Sequence, residues 1–462
     1  MPGAFNGLNM SSNALRAFQR ALDVTGHNIA NVNTTGYTRQ TIDFSATEPT
    51  LFHQGGTYAL GNGVTISSLN RIQDTFLTQR RLAASGDTGR YAQMADGLKN
   101  VQSLFLEPGG SGISDAMDKF FNSWSSLGSN SNEPTARMQV QQAGSTLASR
   151  IRSTYLSLND QLTNTNKQIN ETLTQVKNLS QQVADLNGQI RQKMAEGAQP
   201  NDLMDLRDQA IQQLGELVDV HTYAQPDGSI NVYMNQLTLV DSAGAVPTPM
   251  TYDTVASTIS DSTGTFDVRG GKLKALFDSA EQIKTYQTNL DNLANTLRTS
   301  INSIHTTGTN PLGATGVNFF NDVTPPATQT GAIDFDLDPA IAADPQAIVT
   351  SVSGTAGDGG LALSVAAVRN QSQASLGNVT LNGYFNNLVS DVGRQSQYWD
   401  AQLSTQQAMN AQIDNQIQAV SGVSLDDEMA NMLRFQRSYQ AAAKALSIFD
   451  QVTEDLINLI RR

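Results

Sequence analysis

Few residues in this chain have the type and spacing that chemistry needs. Four histidines, His27, His53, His221 and His305, stand singly, with no HxxxH or HExxH spacing between them. Each is read as a surface or helix-end histidine rather than a metal ligand or general base. Asp202, Asp205 and Asp208 recur every three residues in NDLMDLRDQAIQQLGELVDV (201–220), which puts them on one helix face. Such a face could hold a cation; with Arg207 beside it, a solvated acidic face is the expectation. The glycine run at Pro108–Gly112 resembles a phosphate cradle only in composition, since no Lys follows and no strand precedes. No GxSxG elbow occurs. Cysteine is absent, which excludes disulfides, thiolate metal sites and a Cys nucleophile. The expectation is therefore no catalytic residue, no cofactor and no metal, and a protein that is not an enzyme.

What the sequence does contain is long apolar periodicity. From Ser424 to Arg462 no Gly or Pro interrupts a helical pattern. Ser424 is placed to cap it, and Asp426, Asp427 and Glu428 load its first turn with negative charge. Met432, Tyr439, Leu446 and Ile460 lie on one seven-residue row, and Phe435, Ala442, Phe449 and Leu456 on the next; only Thr453 breaks the seam. At the other end, Leu8, Leu15, Leu22 and Ile29 are seven apart with Phe18 on the adjoining row, but Ser11, Ala14, Ala21 and Thr25 make that seam thin. Two such helices predict that the chain ends meet.

Between them the pattern predicts a rod. From Ala136 to Glu196 there is no Pro, and Tyr155, Leu162, Ile169, Val176, Val183 and Ile190 are spaced by seven. About sixty helical residues would run ~90 Å, longer than a compact domain. Helices over 273–305 and 381–420 are its expected antiparallel neighbours, and another resumes near Arg71 with Phe76 on its buried side. Residues 40–70 alternate as β-structure. Two inserts, 218–270 and 312–375, read as β-rich from their turn residues and short alternating runs. The expected fold is mainly α with β inserts: terminal helices forming a coiled coil (1–35 plus 424–462), a long antiparallel helical rod (36–217, 271–311 and 376–423), and a small β-rich outer domain (218–270 plus 312–375).

Charge narrows the partners. With 29 Lys plus Arg against 42 Asp plus Glu, the net charge is −13, and neither nucleic acid nor an anionic membrane is expected to bind. No apolar run approaches the ~18 residues that suggest a bilayer span. The opening MPGAFNGLNMSS lacks a basic region and an apolar core segment, so no cleaved signal peptide is expected.

Three stretches carry a family resemblance. NIANVNTTGYTR (28–39) resembles the amino-terminal signature of flagellar axial proteins, the group of rod, hook and hook-associated proteins. SGVSLDDEMANMLRFQRSYQAAAKALSIFDQV (421–452) is similar to the carboxy-terminal helix of that group. NDLMDLRDQAIQQLGELVDV with VADLNGQI (183–190) resembles the central part of the hook-associated protein 1 family. The resemblance implies an extracellular structural subunit of the bacterial flagellum, exported without a cleaved signal peptide and self-assembling in a helical lattice where hook meets filament. It implies as partners copies of the same chain, the hook protein, hook-associated protein 3, and an export chaperone on the last helix. Asn28, Ile29, Ala30, Asn31, Gly36, Tyr37 and Arg39 match the family's turn between inner helix and rod. The assembly interface would comprise Leu8, Leu15, Phe18, Leu22 and Ile29 with Met432, Phe435, Tyr439, Leu446, Phe449, Leu456 and Ile460. Other axial proteins (hook-associated protein 3, a hook or rod protein), a secreted coiled-coil effector or adhesin, and a wall hydrolase are the alternative readings.

Overall fold

A computed structural model describes residues 2–53, 57–105, 112–244, 250–256, 258–261, 264–322 and 331–460. Pro108, Gly109, Gly110 and Ser111, the side chains of His53 and Ile460, and Arg461 and Arg462 lie outside the described residues. The chain begins with α1 (Pro2–Ala30), followed by four strands, β1 (Gln40–Ala46), β2 (Thr50–His53), β3 (Thr57–Leu60) and β4 (Val64–Arg71). Four helices follow: α2 (Thr75–Phe105), α3 (Ile113–Ser129), α4 (Pro134–Ala195) and α5 (Asn201–Leu217). Six short strands come next, β5 (His221–Ala224), β6 (Ile230–Met234), β7 (Leu237–Val240), β8 (Thr251–Asp253), β9 (Thr258–Asp261) and β10 (Gly264–Phe266). The remainder is helical: α6 (Gly271–His305), α7 (Pro339–Ala343), α8 (Gly360–Ala367), α9 (Leu381–Ser421) and α10 (Leu425–Ile460). The fold is thus mostly helical, with small antiparallel sheets β1–β4, β2–β3, β5–β6–β7 and β8–β9–β10.

α4 is the spine. Pro134 occupies its first turn, where a missing N–H costs nothing. Its first half, through Val140, Leu147, Ile151 and Leu158, closes one core with α2, α3, α6, α8 and α9. Phe120, Trp124, Phe319 and Phe320 stack edge to face at the centre of that core. Its second half, from Ile169 to Ala184, closes another core with α5, β6, β7, β9 and the start of α6. Thr165 and Thr172, the polar positions in the companion row, are buried and bond back to the carbonyls of Gln161 and Gln168 at 2.9 and 2.7 Å. α2 and α9 run antiparallel, with Tyr91 on Trp399 and Phe105 on Phe385.

Three expectations are corrected. The stretch 312–375 is not β-rich: among its described residues the regular elements are α7, α8 and short 3-10 turns, and only isolated bridges pair. Its Phe319, Phe320, Phe335 and Ile341 fill the first core, whereas 218–270 belongs to the second, so the two inserts do not form one outer unit. Phe76 is 68% exposed, because α2 begins only at Thr75, capped by Asp74, and its buried face starts later. Residues 40–71 are a β-hairpin alongside α1 rather than part of the helical body; Phe44 of β1 sits between Phe18 and Phe435.

Candidate functional site: the paired chain ends and their joint

α1 and α10 pack along their length in opposite directions: Asn28 meets Glu428 at one end, and Gly7 meets Phe449 at the other. Which residues face inward follows from how close the helices lie. The buried row on α1 is Gly7, Ser11, Ala17, Ala21, Thr25 and Asn28, almost all small. A Cβ on Gly7 would fall 2.6 Å from the Phe449 ring, so the aromatic fills the space that the glycine leaves. Thr25 satisfies its hydroxyl on the Ala21 carbonyl at 2.9 Å, and Thr453 does the same on Phe449 at 2.7 Å. The small residues that look like gaps in the seam are its contact surface.

Leu8, Leu15, Leu22 and Ile29 are only half-buried, as are Phe18, Met432, Phe435, Leu446 and Phe449. Tyr439 and Leu456 are exposed. Apolar side chains on α10 that the heptad reading passed over are open: Met429, Leu433, Ile448, Ile457 and Leu459 are each more than half exposed. The signal for them was present as methionine, leucine and isoleucine at positions off the chosen seam.

Where the pair meets the helical body, polar side chains converge. Asn31 closes α1 on the His27 carbonyl at 3.0 Å. Asn28 is 1% exposed and its amide is fully used. Its Nδ2 donates to the Gln40 carbonyl (2.9 Å) and to Glu428 Oε2 (3.1 Å); its Oδ1 accepts from Tyr37 Oη (2.7 Å) and the Gln40 N–H (3.0 Å). Burial first, then Asp202, Asp205 and Glu428, raises the Tyr37 phenol well above its ordinary value, which keeps it a donor. Glu428 is buried and spends its other oxygen on Arg39 Nε at 2.8 Å. Arg39 ties the main chain as well, donating to the Ser421 carbonyl and accepting from the Ile72 N–H. Gly36 takes φ +77°, and a Cβ there would meet Gln209 Nε2 at 2.2 Å, so both conformation and space require glycine.

α5 supplies the other side. Asp205 Oδ1 accepts from Arg71 NH1 at 2.7 Å, and its Oδ2 accepts from the Thr38 N–H at 3.0 Å. Arg71 NH1 also reaches Asp208 Oδ2 at 3.0 Å, and Gln40 Nε2 donates to Asp202 Oδ1 at 2.9 Å. Arg207, itself buried, braces Asp208 and donates to the Gly228 carbonyl at 2.6 Å. Burial pushes the Asp205 carboxyl up while Arg71 and the Thr38 N–H pull it back. The expected solvated acidic face is therefore corrected: Asp205 is a buried ion-pair hub. Among the described residues no group of three or more His, Asp or Glu is placed to hold a metal.

Asn28, Asn31, Gly36, Tyr37 and Arg39 thus act in one network, while Ile29 and Ala30 sit at its edge on the helix. Glu428, Gln40, Arg71 and Asp205 belong to it too and were not singled out for it. Apart from the Asn28–Gln40 pair, their partners lie between 134 and 400 residues away in sequence, and no local spacing announces such pairs.

Comparison with known proteins gives a consistent picture. Residues 98–320 match the family model described as "Flagellar hook-associated protein FlgK helical domain". Residues 416–459 match "Flagellar basal body rod FlgEFG protein C-terminal", and 8–38 match "Flagella basal body rod protein". Flagellar hook-associated protein 1 of Bacillus subtilis is 28% identical over 513 residues, spanning 99% of this chain and 99% of the relative. The Salmonella typhimurium protein of the same name is 27% identical over 557 residues, covering 98% and 99%. Both alignments are longer than this chain's 462 residues, so these relatives carry segments that it lacks. The solved structure of the flagellar hook junction protein FlgK from Burkholderia pseudomallei superposes with a TM-score of 0.64 at 16% identity, covering 74% of this chain and 100% of that one; it shows the shared fold.

Proposed function

We propose that this chain belongs to the flagellar hook-associated protein 1 family and is a structural subunit of the bacterial flagellum at the junction of hook and filament, assembling through its paired ends. The observation that carries the assembly reading is the number of large apolar side chains left open on α10, Met429, Leu433, Ile448, Ile457 and Leu459 among them, beside a seam closed by α1. Exposed apolar side chains gathered on one helix suit a surface for other chains. Copies of this chain in a helical lattice would bury it from the sides, with the hook protein on one side and hook-associated protein 3 on the other. An export chaperone would cover it beforehand.

In this reading the two ends form an inner coiled coil (1–35 plus 424–462), and the helical body around α4 forms the next shell. Leu8, Leu15, Phe18, Leu22 and Ile29 with Met432, Phe435, Tyr439, Leu446, Phe449, Leu456 and Ile460 make up the assembly surface. The turn from Asn28 to Arg39 leads the chain out of it. By this reading the chain is a structural part rather than an enzyme, as its likeness to flagellar hook-associated proteins supports.

The test replaces Leu446 and Phe449 together by Asp. Each loses a half-buried apolar contact, of which full burial would be worth ~1.5–3 kcal/mol. Each also places a charge in a helix interface, where an unpaired charge costs more. Purified double variant is added to bare hooks from a strain lacking its own junction protein, which bypasses export. The native chain should restore filament attachment and the variant should not, while the body stays folded. Filament growth on the variant would refute the seam as the assembly surface.

A further inference from the structure

Two covalent connections join the end unit (α1, β1–β4 and α10) to the helical body: residues 72–74, between β4 and α2, and 422–424, between α9 and α10. Two short crossings make a hinge unless side chains lock them. The aromatic contacts of Phe44 with Phe18 and Phe435 lie wholly within the end unit and cannot do so. Besides the Arg39 N–H bond to the Ser421 carbonyl at the end of α9, a set of polar side-chain contacts crosses the joint and ends on α5. From the end unit come Arg71, the Thr38 N–H and the Gln40 amide; from α5 come Asp205, Asp208 and Asp202.

We propose that α5 is a clamp that holds the end unit at one fixed attitude to the body, with Asp205 and Arg71 as its lock. Both oxygens of Asp205 are taken by the end unit, and its side chain is 7% exposed against 11% for Arg71. Removing either partner leaves the other charged and largely dry, so the pair resists opening. One Arg71 nitrogen, Nη1, donates to both Asp205 and Asp208, so two carboxylates of α5 hold the same cation. Arg207 stands behind Asp208 and keeps it aimed at Arg71. Gln209 adds a second fixed point, donating to the Thr35 carbonyl at 2.7 Å beneath Gly36. The clamp is a property of the single chain and holds whatever assembly the chain enters, so it does not rest on the junction reading.

Because the sequence has no cysteine, two spin labels can be placed cleanly on the full chain. Gln213→Cys on α5 and Gln436→Cys on α10 are exposed and outside the network. Double electron–electron resonance on this pair should give one narrow distance distribution. Asp205→Asn and Arg71→Gln should each widen it at least twofold with helical content unchanged, and Phe44→Ala should leave it narrow. A broad distribution in the parent, an unchanged width in both Asp205→Asn and Arg71→Gln, or equal widening by Phe44→Ala would overturn the clamp. If Asp205→Asn fails to fold, Arg71→Lys is read instead. It keeps the charge but ends one bond short of the Nη1 position, so it should widen the distribution by less than Arg71→Gln; no widening would overturn the assignment.

Discussion

His305 shows how one side chain ties distant segments together. It ends α6 fully buried, with Nδ1–H donating to the Val317 carbonyl at 2.6 Å and Nε2 accepting from the Val349 N–H at 2.9 Å. Only the neutral ring can do both. Burial lowers its pKa to about 4, with Arg137 adding to the effect and the Val317 bond opposing it. An unfolded chain titrates near 6.5, so below that pH the unfolded state binds a proton that the folded state refuses. This contribution to stability is complete above pH ~6.5 and drains away as pH falls toward 4, a change on the order of 3 kcal/mol. Urea unfolding at pH 7.5 and 5.0 should show a drop that shrinks in His305→Gln, whose amide can still donate and accept. The sequence marked His305 as a surface or helix-end residue; the helix end is right, but the partners that bury it come from 12 and 44 residues further on. Gly36→Ala forces a left-handed backbone on a residue with a Cβ and strikes Gln209. It should cost at least ~1–2 kcal/mol, read as a lower urea midpoint.

At the scale of elements, long helices were legible and their faces less so. A repeat of seven fixes where α4, α9 and α10 run, because the apolar stripe must stay on one side for many turns. It does not say whether large or small residues form the contact. On α1 the leucine row is only half-buried, whereas Gly7, Ser11, Ala17, Ala21 and Thr25 are buried and Gly7 lies against Phe449 of α10, since close approach rewards small side chains. Gly7→Leu tests this. Overpacking of a fitted contact typically costs ~1–3 kcal/mol. The variant should splay the start of α1 from Phe449, seen as faster tryptic cleavage at Arg16 and Arg20, with the helical body resisting as before. The insert at 312–375 was misread because Thr, Gly, Pro and Asp mark turns without saying what lies between them. Phe319, Phe320 and Phe335 then serve as a plug for the helical core instead of a sheet.

Across the whole molecule, two cores are threaded on one helix. The sequence has no cysteine, and among the described residues no group of His, Asp or Glu is placed to hold a metal, so thermal unfolding with and without a chelator should coincide; a shift of several degrees would point to a structural ion. What composition conveyed at this scale was class: low charge, no cysteine and long stripes suit a chain whose surfaces meet other chains. What it did not convey was the joint, built from pairs that only the folded topology brings together.

The antiparallel meeting of α1 with α10 has a kinetic side. Asn28 and Glu428 are separated by 400 positions, and a free chain must close that whole loop before their bond forms. A folded body changes the problem. In the folded chain the Arg39 N–H donates to the Ser421 carbonyl at 3.0 Å, where the end unit joins the body; packing of α2 on α9 beforehand would shrink the search from the length of the chain to the residues on either side of that joint. The expected order of folding therefore runs from the middle outward, with pairing of the ends last, which hydrogen exchange would read as lower protection in α1 and α10 than in α4.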